Sequence, residues 1–154
     1  MQFETWLHSD VDFRFVQGLF MPNSPSVIRQ AGVVAISGER VCVVSSRGGK
    51  RWVVPKGCLE PGKTAAEIAL QEAWEEAGLV GVLQPEPIGT YLYEKAGFTC
   101  HVTVFLMSVT ETADRWPEQD RRERCWLTMS QALLRIEDTG LRELIREAMM
   151  VKAG

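Results

Sequence analysis

The chain is poor in the features that would tie it to a membrane, a zinc knuckle or a nucleic-acid polymer. No apolar run approaches the roughly 18 residues of a spanning helix, so no membrane partner is expected. Glu4, His8, Asp10 and Asp12 interrupt the first dozen residues, which leaves no secretory leader pattern and makes a cytoplasmic protein the expectation. The four cysteines, Cys42, Cys58, Cys100 and Cys125, include no CxxC pair, which argues against structural zinc. At this chain length no disulfide framework is needed, and free, mostly buried thiols in a reducing compartment are expected. Nothing in the sequence argues for a lowered thiol pKa at Cys58, the cysteine nearest the site described below. A basic surplus is missing too: 17 Lys and Arg stand against 20 Asp and Glu, for a net charge of −3. A nucleic-acid polymer is therefore not an expected partner. Internal repeats and low-complexity segments are absent.

What is present suits one globular domain. The 154 residues are 45% hydrophobic and 24% charged, enough apolar material for a single core. Residues 1 to about 30 are weakly patterned: Phe3, Trp6, Phe13, Phe15 and Phe20 precede the turn-rich Pro22-Asn23-Ser24-Pro25. They read as an arm or extra strand, packed on the domain or on a partner subunit, so a homodimer stays open. Residues 31–154 read as the domain proper. Ala31–Ser37 and Val41–Ser45 form a hairpin, and Trp52-Val53-Val54 is a strand stopped by Pro55. A helix is predicted from Thr64 to Ala77, with Thr64 and Glu67 as a capping box and Gly78 as the stop. Strands follow near 80–83, 88–93 and 98–109. A polar loop covers Thr110–Glu123, and Cys125–Leu127 is a short strand. Helices are expected at Ser130–Arg135 and from Thr139 to about Lys152, the latter with Leu141, Leu144, Ile145 and Ala148 at helical spacing. Strands on both sides of one central helix, with helices at the end, imply an α/β fold, a sandwich around a mixed sheet.

The central helix carries the chemistry. At about 100° per residue, Glu76 lies about 40° from Glu72, and Glu75 about 60° to the other side, so three carboxylates share one face. Ala65 and Ala69 lie on that face; Ala66, Leu70, Ala73, Trp74 and Ala77 form an opposed apolar face. Most such clusters are solvated acidic stripes. Here no basic residue stands three or four positions from any of the three, so the pairs repel by a few tenths of a kcal/mol each. A counter-charge must come from elsewhere. A hard divalent cation with oxygen ligands is one source, a tertiary Arg or Lys the other.

The segment from Gly57 to Leu79 resembles the Nudix box, Gly-x5-Glu-x7-Arg-Glu-aliphatic-x-Glu-Glu-x-Gly-aliphatic. Gly57, Glu72, Ala73, Glu75, Glu76, Gly78 and Leu79 fit the pattern, after the lead-in Trp52-Val53-Val54-Pro55-Lys56. Lys63 stands at the first Glu position and Gln71 at the Arg position. These two usually support the loop–helix geometry, and their joint replacement fits removal of a partnered pair. Pro55–Lys63, Glu72–Gly78 and the stretch Trp116–Trp126 are most similar to bacterial relatives of diphosphoinositol polyphosphate phosphohydrolases.

The resemblance implies a Nudix-type α/β/α sandwich with a central mixed sheet, and a pyrophosphohydrolase in which water attacks a diphosphate joined to another group. It further implies Mg²⁺, with Mn²⁺ as the alternative, held by Glu72, Glu75 and Glu76 with a backbone carbonyl near Lys56 or Gly57. The base would be one of these glutamates or Glu111, Glu118 or Glu123. Arg47, Arg51, Lys56 and Lys63 form a local basic patch suited to a polyanionic phosphate. Arg121, Arg122 and Arg124 read as a second phosphate clamp or as partners of Glu118, Asp120 and Glu123. Expected substrates are diphosphoinositol or dinucleoside polyphosphates. The alternatives are a nucleoside-diphosphate-X or nucleotide pyrophosphatase, and a non-catalytic phospho-ligand-binding module.

Overall fold

A strand buried on both faces reads as a continuous apolar run, because successive side chains point to opposite layers. In β1 (Val27–Ser37) Ala31, Val33 and Ala35 enter one buried cluster, while Val34 and Ile36 enter another. The computed structural model describes residues 27–153, and the expected N-terminal arm lies outside these up to residue 26. After β1 come β2 (Arg40–Ser45), β3 (Trp52–Val53), β4 (Lys56–Cys58), α1 (Ala65–Ala77) and β5 (Leu79–Leu83). Then follow β6 (Gly89–Lys95), β7 (Phe98–Thr112), β8 (Arg124–Thr128), α2 (Met129–Arg135) and α3 (Thr139–Ala153).

The eight strands form one sheet along the path β3-β2-β1-β7-β5, with β4 on β1, β6 on β7 and β8 on β2. β1 and β7 pair in parallel, and the other pairings are antiparallel, so the sheet is mixed. Ile68, Ala69, Ala73 and Ala77 of α1 join Ala31, Val33, Cys42, Val44 and Phe105 on one face. Ala132 of α2 and Leu141, Leu144, Ile145 and Ala148 of α3 join Val34, Val43, Val102 and Leu106 on the other. The result is the α/β/α sandwich that the sequence implied. All four cysteines are free, and Cys42, Cys58 and Cys100 are buried, as expected.

Four features differ from the sequence reading. β1 starts at Val27, because the polar Gln30 sits fully buried inside it, accepting from Tyr93 Oη at 2.7 Å and donating to Cys58 Sγ at 3.8 Å. A polar residue in an inward position breaks the apolar run that defines a buried strand. β4 follows Pro55 directly, pairing Gln30↔Cys58, Ala31↔Gly57 and Gly32↔Lys56 on β1. β7 continues to Thr112, since β5 pairs with its polar end, Leu79 opposite Thr112.

The fourth difference corrects the helix faces. Leu70 and Trp74 of α1 are 38% and 40% exposed, whereas Ile68, Ala69, Ala73, Glu76 and Ala77 are buried. A bulky indole does not fit where a line of alanines lets the helix lie close on the sheet. The buried face therefore runs through one of the acidic residues.

Candidate active site

Local signals fix where α1 begins and ends. The Thr64 side chain accepts from Glu67 N at 3.1 Å and Glu67 Oε1 accepts from Thr64 N at 3.0 Å, so two otherwise unpaired donors are satisfied together. Those same contacts hold the Glu67 carboxyl below its ordinary range. Gly78 ends the helix at φ 65°, and its N–H reaches the carbonyls of Ala73 and Trp74. Gly57 is needed for contact: a Cβ there would lie 2.4 Å from Glu72 Cδ and 2.6 Å from its Oε1. The bare Cα lets the Glu72 carboxyl lie directly on β4.

Four carboxylates influence one another at this point. Burial, then the charges of Glu76, Glu75 and Glu118 and a hydrogen bond with Glu75, push the Glu72 carboxyl up to about 10. Every neighbour acting on it is another carboxylate. Glu76 is 2% exposed; its Oε1 accepts from Lys56 N at 3.3 Å and its Oε2 faces Arg122 Nη2 at 3.2 Å. Arg122 also meets Glu118 Oε1 through Nε at 3.3 Å and donates to the Ser45 carbonyl through Nη1 at 3.1 Å. The loop carrying Glu118 is held to the helix end, with Glu118 N on the Glu75 carbonyl at 3.0 Å and Ala113 N on the Gly78 carbonyl at 2.9 Å. Arg124 adds bonds to the carbonyls of Ala77 and Ala113, its guanidinium 4.1 Å from the Trp116 ring centre.

Of the two counter-charges left open by the sequence, the structure supplies a tertiary arginine, and supplies it to Glu76. Among the described residues no three carboxylate, imidazole or thiol side chains already stand as a ligand set. The donors nonetheless suit a hard divalent cation. They are carboxylate oxygens, and the Glu72 carboxyl holds a proton that a divalent charge would displace.

The basic residues predicted for substrate are not brought to one place. Arg51 and Lys56 line a cleft with Trp52, Tyr91, Tyr93 and Asp138. Lys56 Nζ sits 5.0 Å from the Tyr93 ring centre, on the face opposite that turned by Gly57 to Glu72. Arg47 lies in the exposed turn after β2. Lys63 instead donates to Gln71 Oε1 at 2.6 Å, with Glu60 at 3.9 Å. The pair that replaces Glu and Arg is therefore still a pair, with the cation moved from helix to loop. Arg122 pairs with Glu118, as one reading of this arginine run had it, whereas Arg124 bonds the carbonyls of Ala77 and Ala113 instead of an acidic neighbour. Sequence reasoning weighed Arg122 within a run of arginines but not as the partner of Glu76, and did not single out Tyr91 and Tyr93. Only the Glu118-x3-Arg122 spacing, a helical turn closed by Arg122 N on the Glu118 carbonyl at 2.9 Å, signalled Arg122.

The sequence profile described as NUDIX domain matches residues 27–148. Nudix hydrolase 12, mitochondrial, of Arabidopsis thaliana is 34% identical over 135 residues, covering 80% of this chain and 66% of that protein. Diphosphoinositol polyphosphate phosphohydrolase 3-alpha of Mus musculus is 35% identical over 100 residues, 62% of this chain and 58% of that one. The chain thus spans at most about two thirds of the length of these curated relatives. In fold, it is similar to a C. elegans Ap4A hydrolase binary complex, with TM-score 0.71 at 21% identity, covering 82% of this chain and 98% of that one.

Proposed function

From the premise that the chain belongs to the Nudix family, we propose that it hydrolyses a phosphoanhydride bond in a small, highly phosphorylated molecule. Diphosphoinositol polyphosphates and dinucleoside polyphosphates are the first substrates to test, since relatives of this chain and of its fold carry names of both kinds. The observation that carries the reading is the convergence of Glu72, Glu75, Glu76 and Glu118, with the Glu72 carboxyl pushed up to about 10 by burial and by the other three. Such a site is costly for stability alone, since buried like charges oppose folding. A cluster kept in spite of that cost calls for a function.

A Mg²⁺ or Mn²⁺ ion held by Glu72, Glu75 and Glu76 with the Gly57 carbonyl would supply positive charge to phosphate oxygens and acidify a bound water. The chain's own groups do the rest. Water adds to phosphorus, the bridging P–O bond breaks, and a carboxylate of the cluster takes the proton of the attacking water. Among the outside carboxylates, Glu118 is the one that acts on Glu72, while Glu111 and Glu123 are exposed. Of the basic residues expected at the substrate, Arg47, Arg51 and Lys63 are exposed and can meet an anionic substrate, whereas Lys56 is 3% exposed and turned to Tyr93. The non-catalytic alternative loses its support, because Lys63 and Gln71 keep the loop–helix contact.

The test is turnover with Mg²⁺ or Mn²⁺ on diphosphoinositols, dinucleoside polyphosphates, nucleoside triphosphates and sugar nucleotides, beside Glu72→Gln. Glu72 is a cleaner choice than Glu76, whose loss also strands a buried Arg122. Metal-dependent release of phosphate from one class, abolished in the variant, is expected. Tight binding of one compound with no turnover of any would overturn the enzyme reading.

A further inference from the structure

Arg122 lies 46 residues beyond Glu76, outside the box, and its residue is 3% exposed. Its guanidinium faces groups from three segments: the Glu76 carboxylate of α1, the Glu118 carboxylate of the loop before β8, and the Ser45 carbonyl ending β2. A planar fork of N–H donors meets such a divergent set, whereas an ammonium presents a single nitrogen. Both carboxylates that it touches are among those acting on Glu72. Backbone groups anchor them as well, Lys56 N for Glu76 and the Glu75 carbonyl for the Glu118 amide.

Stability does not explain such an arrangement. Well-packed apolar residues of similar volume commonly equal or exceed a buried ion pair. Burial also keeps the guanidinium from serving as an open phosphate clamp. Its contacts instead fix the distance and direction between one carboxylate of the box and one from outside it. Resting on the metal reading above, we propose that Arg122 is a positioning residue. It holds Glu76 and Glu118 in register with Glu72 so that the cluster receives a divalent cation, and it acts through those carboxylates rather than on the substrate.

Mn²⁺ titration followed by electron paramagnetic resonance tests this on the whole chain, well below the lowest melting temperature of the set. Arg122→Lys keeps the charge and loses the fork. We expect its Mn²⁺ affinity to fall roughly 10- to 100-fold, the usual scale for a group that orients a metal ligand, with kcat reduced and KM little changed. A purely structural arginine would lower the melting temperature and leave Mn²⁺ affinity within about twofold of the parent; that result overturns the proposal. If Arg122→Lys does not fold, Glu118→Asp decides, since it keeps the carboxylate and shortens the arm that meets Arg122. Weakening of Mn²⁺ binding by about tenfold supports a positional requirement, and unchanged binding overturns it. A parent chain that binds no Mn²⁺ overturns the metal reading and this inference together. A parent that binds, beside an Arg122→Lys that binds equally, overturns this inference alone.

Discussion

The two helical layers cover the sheet by different chemistry. α3 lays Leu141, Leu144, Ile145 and Ala148 on its face of the sheet, and none of the buried charged residues among those described, Lys56, Glu76 and Arg122, belongs to it. α1 lays alanines and Ile68 on the other face and buries Glu76 with them, paired to Arg122. The first layer is a packing solution and the second a compromise between packing and charge. The difference teaches where to look for function: at the helix whose buried face breaks the apolar rule.

Four experiments sharpen or break this contrast, the largest effect first. Glu72→Gln should lower turnover by more than the roughly 100-fold scale of orienting groups, while raising the melting temperature of the metal-free protein at neutral pH. A loss of both activity and stability would mean that Glu72 supports the fold. Ile145→Ala on α3 should show the reverse, losing about 2–5 kcal/mol of stability with kcat of the folded fraction unchanged. Denaturant unfolding and kinetics on one preparation would show both.

The third is pH. Folding raises the Glu72 carboxyl from 4.5 to about 10, so the metal-free native state holds more protons than the unfolded chain between those values. Stability should therefore fall as pH rises through that window, and Glu72→Gln should flatten the slope. Divalent cation binding near neutral pH should release about one proton, measurable in a weakly buffered titration. The smallest effect belongs to the exposed clamp. Lys63→Glu and Gln71→Arg together should preserve the contact, while Gln71→Arg alone sets two cations together and costs about 0.2–1 kcal/mol. If both variants match the parent in stability and rate, the contact has no supporting role.

The legible part of the molecule is the part governed by local rules. The capping box at Thr64, the stop at Gly78 and the apolar stripe of α3 each depend on residues a few positions apart, and each is where the spacing predicts. The carboxylates of α1 were visible for the same reason. Gln30 hid the start of β1, because its partners Tyr93 and Cys58 come from other strands. Arg122 was legible as one of a run of arginines but not as the partner of Glu76, since no pattern along the chain reports a contact made through the sheet. Lys56 reads as one of several cations near the box, and only the alternation of β4 turns its side chain toward Tyr93.

Sequence separation gives the Arg122 contacts one further consequence. The box is complete at Leu79, yet Arg122 comes later and joins Ser45, 77 positions back, and the strand β8 that follows it pairs with β2. Contacts of such span form late, after the chain has closed a long loop. A chain made from its N-terminus thus exposes a finished acidic helix before the cation that orders it exists. Assembly of the site then becomes a record of completed folding: chains interrupted before Arg122 contain the motif without the cation that pairs with Glu76.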